Sequence, residues 1–120
     1  MDKKIMIVDD AVFMRMMIKN SLTSNGYTNL LEAADGQIAV DTYKAEKPDL
    51  VIMDITMPNM DGIQSLQAIK EYDPDAMVIM CSAMGQESMV VDAIRFGALD
   101  FIVKPFKPDR ILQTVKKILG

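Results

Sequence analysis

Charged or hydroxyl side chains stand at the ends of several short apolar runs in this 120-residue chain. They are Asp9 and Asp10 after the first run, Asp54 after the third, Ser82 after the fourth, and Lys104 with Pro105 after the fifth. Most have a simple structural explanation, such as helix capping for Asp9 or Asp10 and loop hydrogen bonding for Ser82. Asp54 is harder to explain, because a charge at the end of an apolar strand costs free energy unless something compensates it.

The chemistry that these side chains could perform together is phosphoryl transfer. Three carboxylates at one edge of a sheet raise one another's pKa unless a cation lies among them. Mg²⁺ is such a cation, since it binds carboxylates, waters and phosphate oxygens. A carboxylate can then attack phosphorus while the metal ion and a lysine neutralise charge on the equatorial oxygens, and a serine hydroxyl can hydrogen-bond one of them.

Two other kinds of site share part of this pattern. A flavodoxin-type nucleotide site needs a loop rich in hydroxyls and amides after the first strand, and Asp9 and Asp10 would repel phosphate there. A phosphatase with an aspartyl nucleophile would need a second acid two residues onward, where this chain has Thr56. The chain contains no histidine, so Cys81 also lacks the usual base of a thiol nucleophile. The residues therefore favour phosphoryl acceptance over nucleotide binding or turnover of phosphate esters.

Short apolar runs alternate with segments of helical length along the chain. The predicted strands are residues 5–8, 30–33, 50–53, 77–81 and 101–103. The predicted helices are residues 11–25, 37–46, 63–72, 87–96 and 109–119. This strict alternation predicts an α/β fold, a doubly wound five-stranded parallel sheet with helices on both faces. Function in such a sheet collects at the carboxyl ends of the strands, where the acidic, serine and lysine side chains lie.

Composition indicates a soluble protein whose main partners are neither nucleic acids nor membranes. The formal net charge is −4, and no basic block is present. No apolar run approaches the roughly 18 residues needed to span a bilayer. The single cysteine fits a reducing cytoplasm, and the length fits one domain over residues 1–120. Twelve methionines are unusual, and we interpret more of them as flexible core filler than as contact surface for partners.

Five segments in register resemble the receiver domain of two-component response regulators, over essentially the whole chain. They are IVDDAVFMRMM, EAADG, LVIMDITMPNMDG, MCSAMG and FGALDFIVKPF. The resemblance implies a flavodoxin-like sheet with strand order 2-1-3-4-5 and a stand-alone receiver of the chemotaxis type. It also implies a monomeric, cytoplasmic signalling switch. Such a switch is not an enzyme in the usual sense, because it catalyses only its own phosphorylation and autodephosphorylation.

The resemblance assigns a role to each residue of the predicted site. Asp54 would be the phosphoacceptor, and Lys104 and Ser82 would contact the phosphoryl group. The ligands of Mg²⁺, or of Mn²⁺ in its place, would be Asp9, Asp10, Asp54 and the backbone carbonyl of Thr56. The peptide bond between Lys104 and Pro105 would be cis, a geometry favoured only before proline.

A second set of residues would carry the signal to a partner. Ser82 would shift toward the phosphoryl oxygen, and Phe101 would turn inward into the vacated space. The readout face, made of parts of residues 88–96, Phe101 and residues 107–115, would bind a flagellar motor switch protein. The phosphoryl donor would be a sensor histidine kinase of the chemotaxis type, and a phosphatase is a further expected partner.

Some residues depart from the common chemotaxis pattern, and two alternatives stay open. Phe101 stands where tyrosine is common, and Ser82 stands where threonine is frequent. Poor water access past Met84 predicts slow-to-moderate autodephosphorylation. Arg15 and its methionine neighbours are interpreted as a helix packed mainly under the sheet, with partner contact as the alternative. The alternative functions are a phosphorelay intermediate that passes phosphate to a histidine phosphotransferase, and a receiver segment of a larger regulator.

Overall fold

The computed structural model describes residues 3–120, so the first two residues of the predicted domain, 1–120, lie outside the described part. The strands are β1 (Ile5–Val8), β2 (Leu30–Ala33), β3 (Leu50–Asp54), β4 (Val78–Ser82) and β5 (Asp100–Val103). The helices are α1 (Val12–Thr23), α2 (Gly36–Glu46), α3 (Gly62–Tyr72), α4 (Glu87–Arg95) and α5 (Pro108–Leu119). Within residues 3–120, no helix is both long and apolar enough to cross a membrane.

The strands form one parallel sheet in the order β2-β1-β3-β4-β5. β1 pairs with β2 on one side and with β3 on the other, so the order of the strands reverses at β1. β3 then pairs with β4, and β4 pairs with β5. The predicted fold class is therefore confirmed. The carboxyl ends of β1, β3, β4 and β5 lie side by side along one edge.

Helices cover both faces of the sheet because its central strands are apolar on both sides. Every residue of β1, β3 and β4 is buried, which is typical of parallel strands between two helical layers. α1 and α5 cover one face with Ile18, Leu22, Ile111 and Val115. α2, α3 and α4 cover the other with Ala39, Val40, Tyr43, Leu66, Ile69 and Ala93. The two layers leave the strand ends as the place where polar side chains can gather.

Most predicted boundaries are right to within one residue, and the differences have physical causes. β3 extends through Asp54 and β4 through Ser82, because these residues continue the pairing with the neighbouring strands. α1 ends at Thr23, two residues before the predicted end, and the chain turns at Gly26 with φ of +92°. α5 begins at Pro108, since the first residue of a helix needs no backbone N–H.

Candidate functional site

The carboxyl ends of four strands bring the predicted site residues to one edge of the sheet. Asp54 is the last residue of β3, and Ser82 is the last residue of β4. Asp9 directly follows β1, and Lys104 directly follows β5. The backbone N–H of Lys104 donates to the carbonyl of Ser82 at 2.6 Å, which extends the pairing of β4 and β5 up to the site. Side chains that are far apart in the sequence therefore meet here.

The Lys104 ammonium joins two buried carboxylates. Its Nζ atom lies 2.9 Å from Asp9 Oδ2 and 3.2 Å from Asp54 Oδ2. Asp9 is 2% exposed and Asp54 is 8% exposed, so bulk water screens these ion pairs only weakly. Burial alone would lower the pKa of Lys104, but the hydrogen bond to Asp9 and the charges of both carboxylates raise it above its ordinary value. Lys104 is therefore a fixed positive charge at neutral pH.

The Asp54 carboxyl is held in an unfavourable electrostatic position. Burial raises its pKa, the Lys104 ammonium opposes that rise, and the Asp9 carboxylate adds to it. The net direction is upward, so one lysine does not fully compensate the charge of Asp54. A further cation beside Asp54 would remove this cost.

Asp9, Asp10 and Asp54 form a cluster that could hold such a cation. One carboxylate oxygen from each residue lies within 4.8 Å of the other two. Asp9 and Asp54 are buried whereas Asp10 is exposed, so the cluster is open to solvent on one side. The backbone N–H of Ala11 donates to Asp9 Oδ1 at 2.9 Å and orients that carboxylate. Carboxylate oxygens with access to water are the donors that Mg²⁺ prefers, so these residues fit the predicted metal ion.

The loop after β3 contains one predicted site residue, Thr56, and two residues that were not predicted contact this loop or the end of β3. Thr56 lies two residues past Asp54 and is exposed, and its hydroxyl accepts a hydrogen bond from Gln86 Nε2 at 2.7 Å. Sequence patterns gave no signal for Gln86, because the direction of a long side chain in a loop follows no periodicity. Gly62 begins α3, and a Cβ there would overlap the carbonyl oxygen of Asp54. The glycine that ends the TMPNMDG segment indicates this close approach.

Ser82 and Phe101 lie on neighbouring strands on the side of the site away from the acidic cluster. Ser82 is 1% exposed, and Phe101 is 37% exposed. Phe101 pairs with Met80, two residues before Ser82 on β4. An apolar groove of about 650 Å³ runs along α4 and β5 beside them, and it is lined in part by Met84, Val90, Val91, Ile94, Phe101 and Val103. The structure therefore links the site to an exposed apolar surface through β4 and β5.

Other predicted residues take up defined positions around this edge. The Lys104–Pro105 peptide bond is cis. Arg15 Nη1 donates to the carbonyl oxygen of Asp9 at 2.5 Å, and Arg15 Nε donates to Glu32 Oε1 at 3.0 Å. The Arg15 guanidinium thus holds β1 and β2 together. Not all of α1 packs under the sheet, since Phe13 on its first turn is 77% exposed.

Cys81 lies beside Ser82 but is not placed to react. It is 2% exposed within the core layer of α1 and α5. Burial raises the pKa of the Cys81 thiol to about 12. Little thiolate is therefore present at neutral pH, which agrees with the prediction that Cys81 is not a nucleophile.

Comparisons with known proteins agree on the family to which such a site belongs. The family model of the response regulator receiver domain matches residues 5–116. The chain is 60% identical over 120 residues to chemotaxis protein CheY of Bacillus subtilis (strain 168), with 100% of both chains covered. It is 53% identical over 118 residues to chemotaxis protein CheY of Thermotoga maritima, with 98% of each chain covered.

A solved structure resembles the fold over nearly the same length. It is the crystal structure of the CheX-CheY-BeF3-Mg²⁺ complex from Borrelia burgdorferi. The TM-score is 0.91 at 44% sequence identity, and the match covers 98% of this chain and 89% of that chain. The resemblance to receiver domains that the five sequence segments indicated is confirmed.

Proposed function

This chain belongs to the response regulator receiver domain family, and we propose that it is a chemotaxis-type switch that accepts a phosphoryl group on Asp54. The phosphoryl donor in this proposal is a phosphohistidine on a sensor histidine kinase of the chemotaxis system. One observation carries the proposal: a buried carboxylate, Asp54, lies at a strand end between the Lys104 ammonium and the carboxylates of Asp9 and Asp10. Such a switch transmits a signal and is not an enzyme in the usual sense.

The transfer step uses the site residues in distinct roles. A bond forms between a carboxylate oxygen of Asp54 and phosphorus, the P–N bond of the phosphohistidine breaks, and its electron pair returns to the imidazole nitrogen. The Lys104 ammonium would move from its carboxylate partners to contact a phosphoryl oxygen. The Ser82 hydroxyl would donate a hydrogen bond to another phosphoryl oxygen.

The metal ion in this proposal is Mg²⁺, or Mn²⁺ in its place. Its ligands would be Asp9, Asp10, Asp54 and the backbone carbonyl of Thr56. When bound, it supplies positive charge to the phosphoryl oxygens as they approach the carboxylate. The buried and uncompensated charge of Asp54 supports this assignment, because it identifies the place where a cation lowers the free energy most.

Phosphorylation would change the surface formed by α4, β5 and α5. Ser82 would shift toward the phosphoryl group, and Phe101 would turn from its half-exposed position into the vacated space. The exposed side chains of Val91, Ile94 and Val103 next to Phe101 supply apolar area for a partner. We assign this surface to a flagellar motor switch protein, and we include a phosphatase among the partners of the monomeric, cytoplasmic protein.

The relatives support the chemotaxis role more than the other possibilities. Two chemotaxis proteins CheY match the chain over at least 98% of their own length. In the Borrelia complex, a CheY chain occurs together with CheX, BeF3 and Mg²⁺, which supports a magnesium-dependent phosphoryl site and a partner from the same signalling system. A phosphorelay intermediate would instead have a histidine phosphotransferase as its partner and would pass the phosphoryl group to it.

The proposed function is tested by incubating the protein with a small acyl phosphate and Mg²⁺ and measuring its intact mass. We expect one added phosphoryl group in the wild type and none in Asp54→Asn. An Asp54→Asn variant that still gains the group, or a wild type that gains none, contradicts the proposal. Pull-down of the phosphorylated protein with a purified motor switch protein supports the chemotaxis role, whereas exclusive transfer to a histidine phosphotransferase supports a phosphorelay.

A further inference from the structure

The Gln86 side chain connects the two loops that flank Asp54. Its Oε1 atom accepts a hydrogen bond from the backbone N–H of Ala83 at 2.6 Å. Its Nε2 atom donates to Thr56 Oγ1 at 2.7 Å. Ala83 follows the last residue of β4, and Thr56 follows the last residue of β3 by two positions. One side chain therefore joins the loop after β3 to the loop after β4.

This bridge lies at the site because β3 and β4 are neighbours in the sheet. Asp54 pairs with Cys81 in the parallel register, and the backbone N–H of Ile55 donates to the carbonyl of Cys81 at 3.0 Å. The strands diverge into their loops directly after these residues. Beyond this backbone pairing, the Gln86 side chain is the next connection between the segments that follow β3 and β4.

Gln86 makes these bonds instead of the one that its position would usually provide. It is the N-cap residue of α4, but its side chain makes no capping hydrogen bond to that helix. Gly85, just before it, has φ of +88°, which turns the chain so that the Gln86 side chain points back over the strand ends. The side chain is partly exposed, so these contacts are not forced by burial.

We propose that Gln86 is a positioning residue that holds the loops after β3 and β4 in the unphosphorylated arrangement, so that phosphorylation must break its bridge. This inference rests on the proposed function of Asp54. Ser82 is buried and must move toward a phosphoryl group on Asp54, and Ala83 moves with it. The Gln86 side chain accepts a short hydrogen bond from Ala83 and donates one to Thr56. A shift of Ala83 away from Thr56 would therefore lengthen and break at least one of these bonds.

The bridge therefore opposes phosphorylation by the free energy of the bonds that break. Any interaction made only in the unphosphorylated state lowers the apparent affinity of the site for a phosphoryl group. A net hydrogen bond of ordinary strength corresponds to about a 3- to 10-fold change in an equilibrium constant. Removing the bridge should raise the affinity for a phosphoryl analogue by this factor.

The probe is BeF3⁻ at saturating Mg²⁺, titrated by calorimetry because the chain has no tryptophan for a fluorescence assay. Gln86→Ala should bind BeF3⁻ about 3- to 10-fold more tightly than the wild type. Gln86→Asn, whose side chain is one methylene too short to span both loops, should shift the affinity in the same direction. Gln67→Ala on α3 is the control and should match the wild type. Circular dichroism checks that each variant is folded.

A double-mutant cycle with Thr56→Val separates the bridge from a general loosening of the loops. Thr56→Val removes the hydroxyl but keeps the backbone carbonyl, so it should also tighten binding of BeF3⁻. The double variant should bind no more tightly than Gln86→Ala alone, because both changes break the same bond. Additive effects, or Gln86→Ala with an affinity equal to or weaker than that of the wild type, overturn the inference.

The two proposals can fail separately in this experiment. If the wild type binds BeF3⁻ with Mg²⁺ and Gln86→Ala binds it no more tightly, the proposed role of Gln86 is wrong. The proposed function of Asp54 is then unaffected. A wild type that does not bind BeF3⁻ at all contradicts both proposals.

Discussion

At the scale of single residues, the balance of charge at the site determines what it can bind. Lys104 is the only cation within ion-pair distance of Asp9 or Asp54 among the described residues, 3–120. With Asp10 also in the cluster, one ammonium faces three carboxylates. This surplus of negative charge destabilises the folded protein unless a divalent cation or a proton compensates it. In the proposed function, the same surplus of negative charge would favour binding of a divalent cation, which in turn would allow a phosphoryl group to approach.

Replacing the central carboxylate should therefore stabilise the protein in the absence of metal. With EDTA present, Asp54→Asn is expected to raise the free energy of unfolding at pH 7 by about 1–2 kcal/mol, because it removes a buried charge that faces Asp9, Asp10 and Lys104. Urea denaturation measures this difference. A variant less stable than the wild type at pH 7 would mean that the Lys104 ion pair outweighs the cost of burial.

The same difference should depend on pH in a defined direction. Because the pKa of Asp54 is raised in the folded state, the unfolded chain loses this proton at a lower pH than the folded protein does. Stability of the wild type is therefore lost as pH rises from the ordinary pKa of an aspartate through the raised pKa. The advantage of Asp54→Asn should be small at the ordinary pKa of an aspartate and should grow as pH rises above it. An advantage that shrinks as pH rises contradicts the sign of the shift.

At the scale of elements, the sequence predicts the alternation of strands and helices well because apolar runs and helical spacing are local. It places Asp54 and Ser82 just after their strands, whereas the structure makes each the last residue of its strand. That difference depends on pairing with a neighbouring strand, which no local pattern encodes. The Gln86 bridge is missed for a related reason, since it joins residues 30 positions apart through side chains in two loops.

The loop after β3 is also fixed from its far side, by the start of α2. The backbone N–H of Gly36 donates to the carbonyl of Met60 at 3.1 Å, and Ser65 Oγ donates to the carbonyl of Gly36 at 3.0 Å. Asn59 Nδ2 donates to Asp35 Oδ2 at 2.8 Å. These bonds hold the segment that carries Thr56 against α2 and α3. The EAADG segment of the sequence therefore supports the site without contributing a side chain to it.

The close contact between Gly36 and Met60 predicts that one added methyl group at position 36 strongly lowers the stability of the protein. A Cβ at Gly36 would overlap the carbonyl oxygen of Met60, so Gly36→Ala should destabilise the protein by about 2–3 kcal/mol. Gly26→Ala is the matched control. Its Cβ would meet no atom within 4 Å, so only the positive φ of Gly26 costs free energy, about 1 kcal/mol. Chemical denaturation of the two variants measures the difference, and equal losses would contradict the close packing of this loop.

At the scale of the whole molecule, the strand order brings four chain segments to one edge. β1 and β3 are adjacent in the sheet although a complete helix–strand–helix segment separates them in the sequence, and β4 and β5 follow in order. Three carboxylates, a hydroxyl and a lysine thus lie at one edge, while the exposed apolar groove extends along α4 and β5. Strand order depends on contacts across the sheet, so the sequence alone indicated it only through the resemblance to receiver domains.

A metal ion that binds the folded edge should stabilise the whole molecule. Mg²⁺ at ten times its dissociation constant should raise the free energy of unfolding by about 1.4 kcal/mol through linkage, because the unfolded chain has no assembled site. Thermal unfolding measures this as a rise of about 3–6 °C. Asp10→Asn should lose most of the effect, while Asp41→Asn, on the exposed face of α2, should keep it. Equal stabilisation of both variants would place the ion elsewhere.

Asp54, and no other carboxylate at this edge, is proposed to accept the phosphoryl group with the help of a divalent cation. Reduction with borohydride converts an aspartyl phosphate to homoserine, so the acceptor can be located by peptide mass spectrometry after incubation with a small acyl phosphate and Mg²⁺. We expect homoserine at position 54 alone, and none when EDTA replaces Mg²⁺. Conversion at position 9 or 10, or conversion at position 54 that does not require a divalent cation, would contradict it.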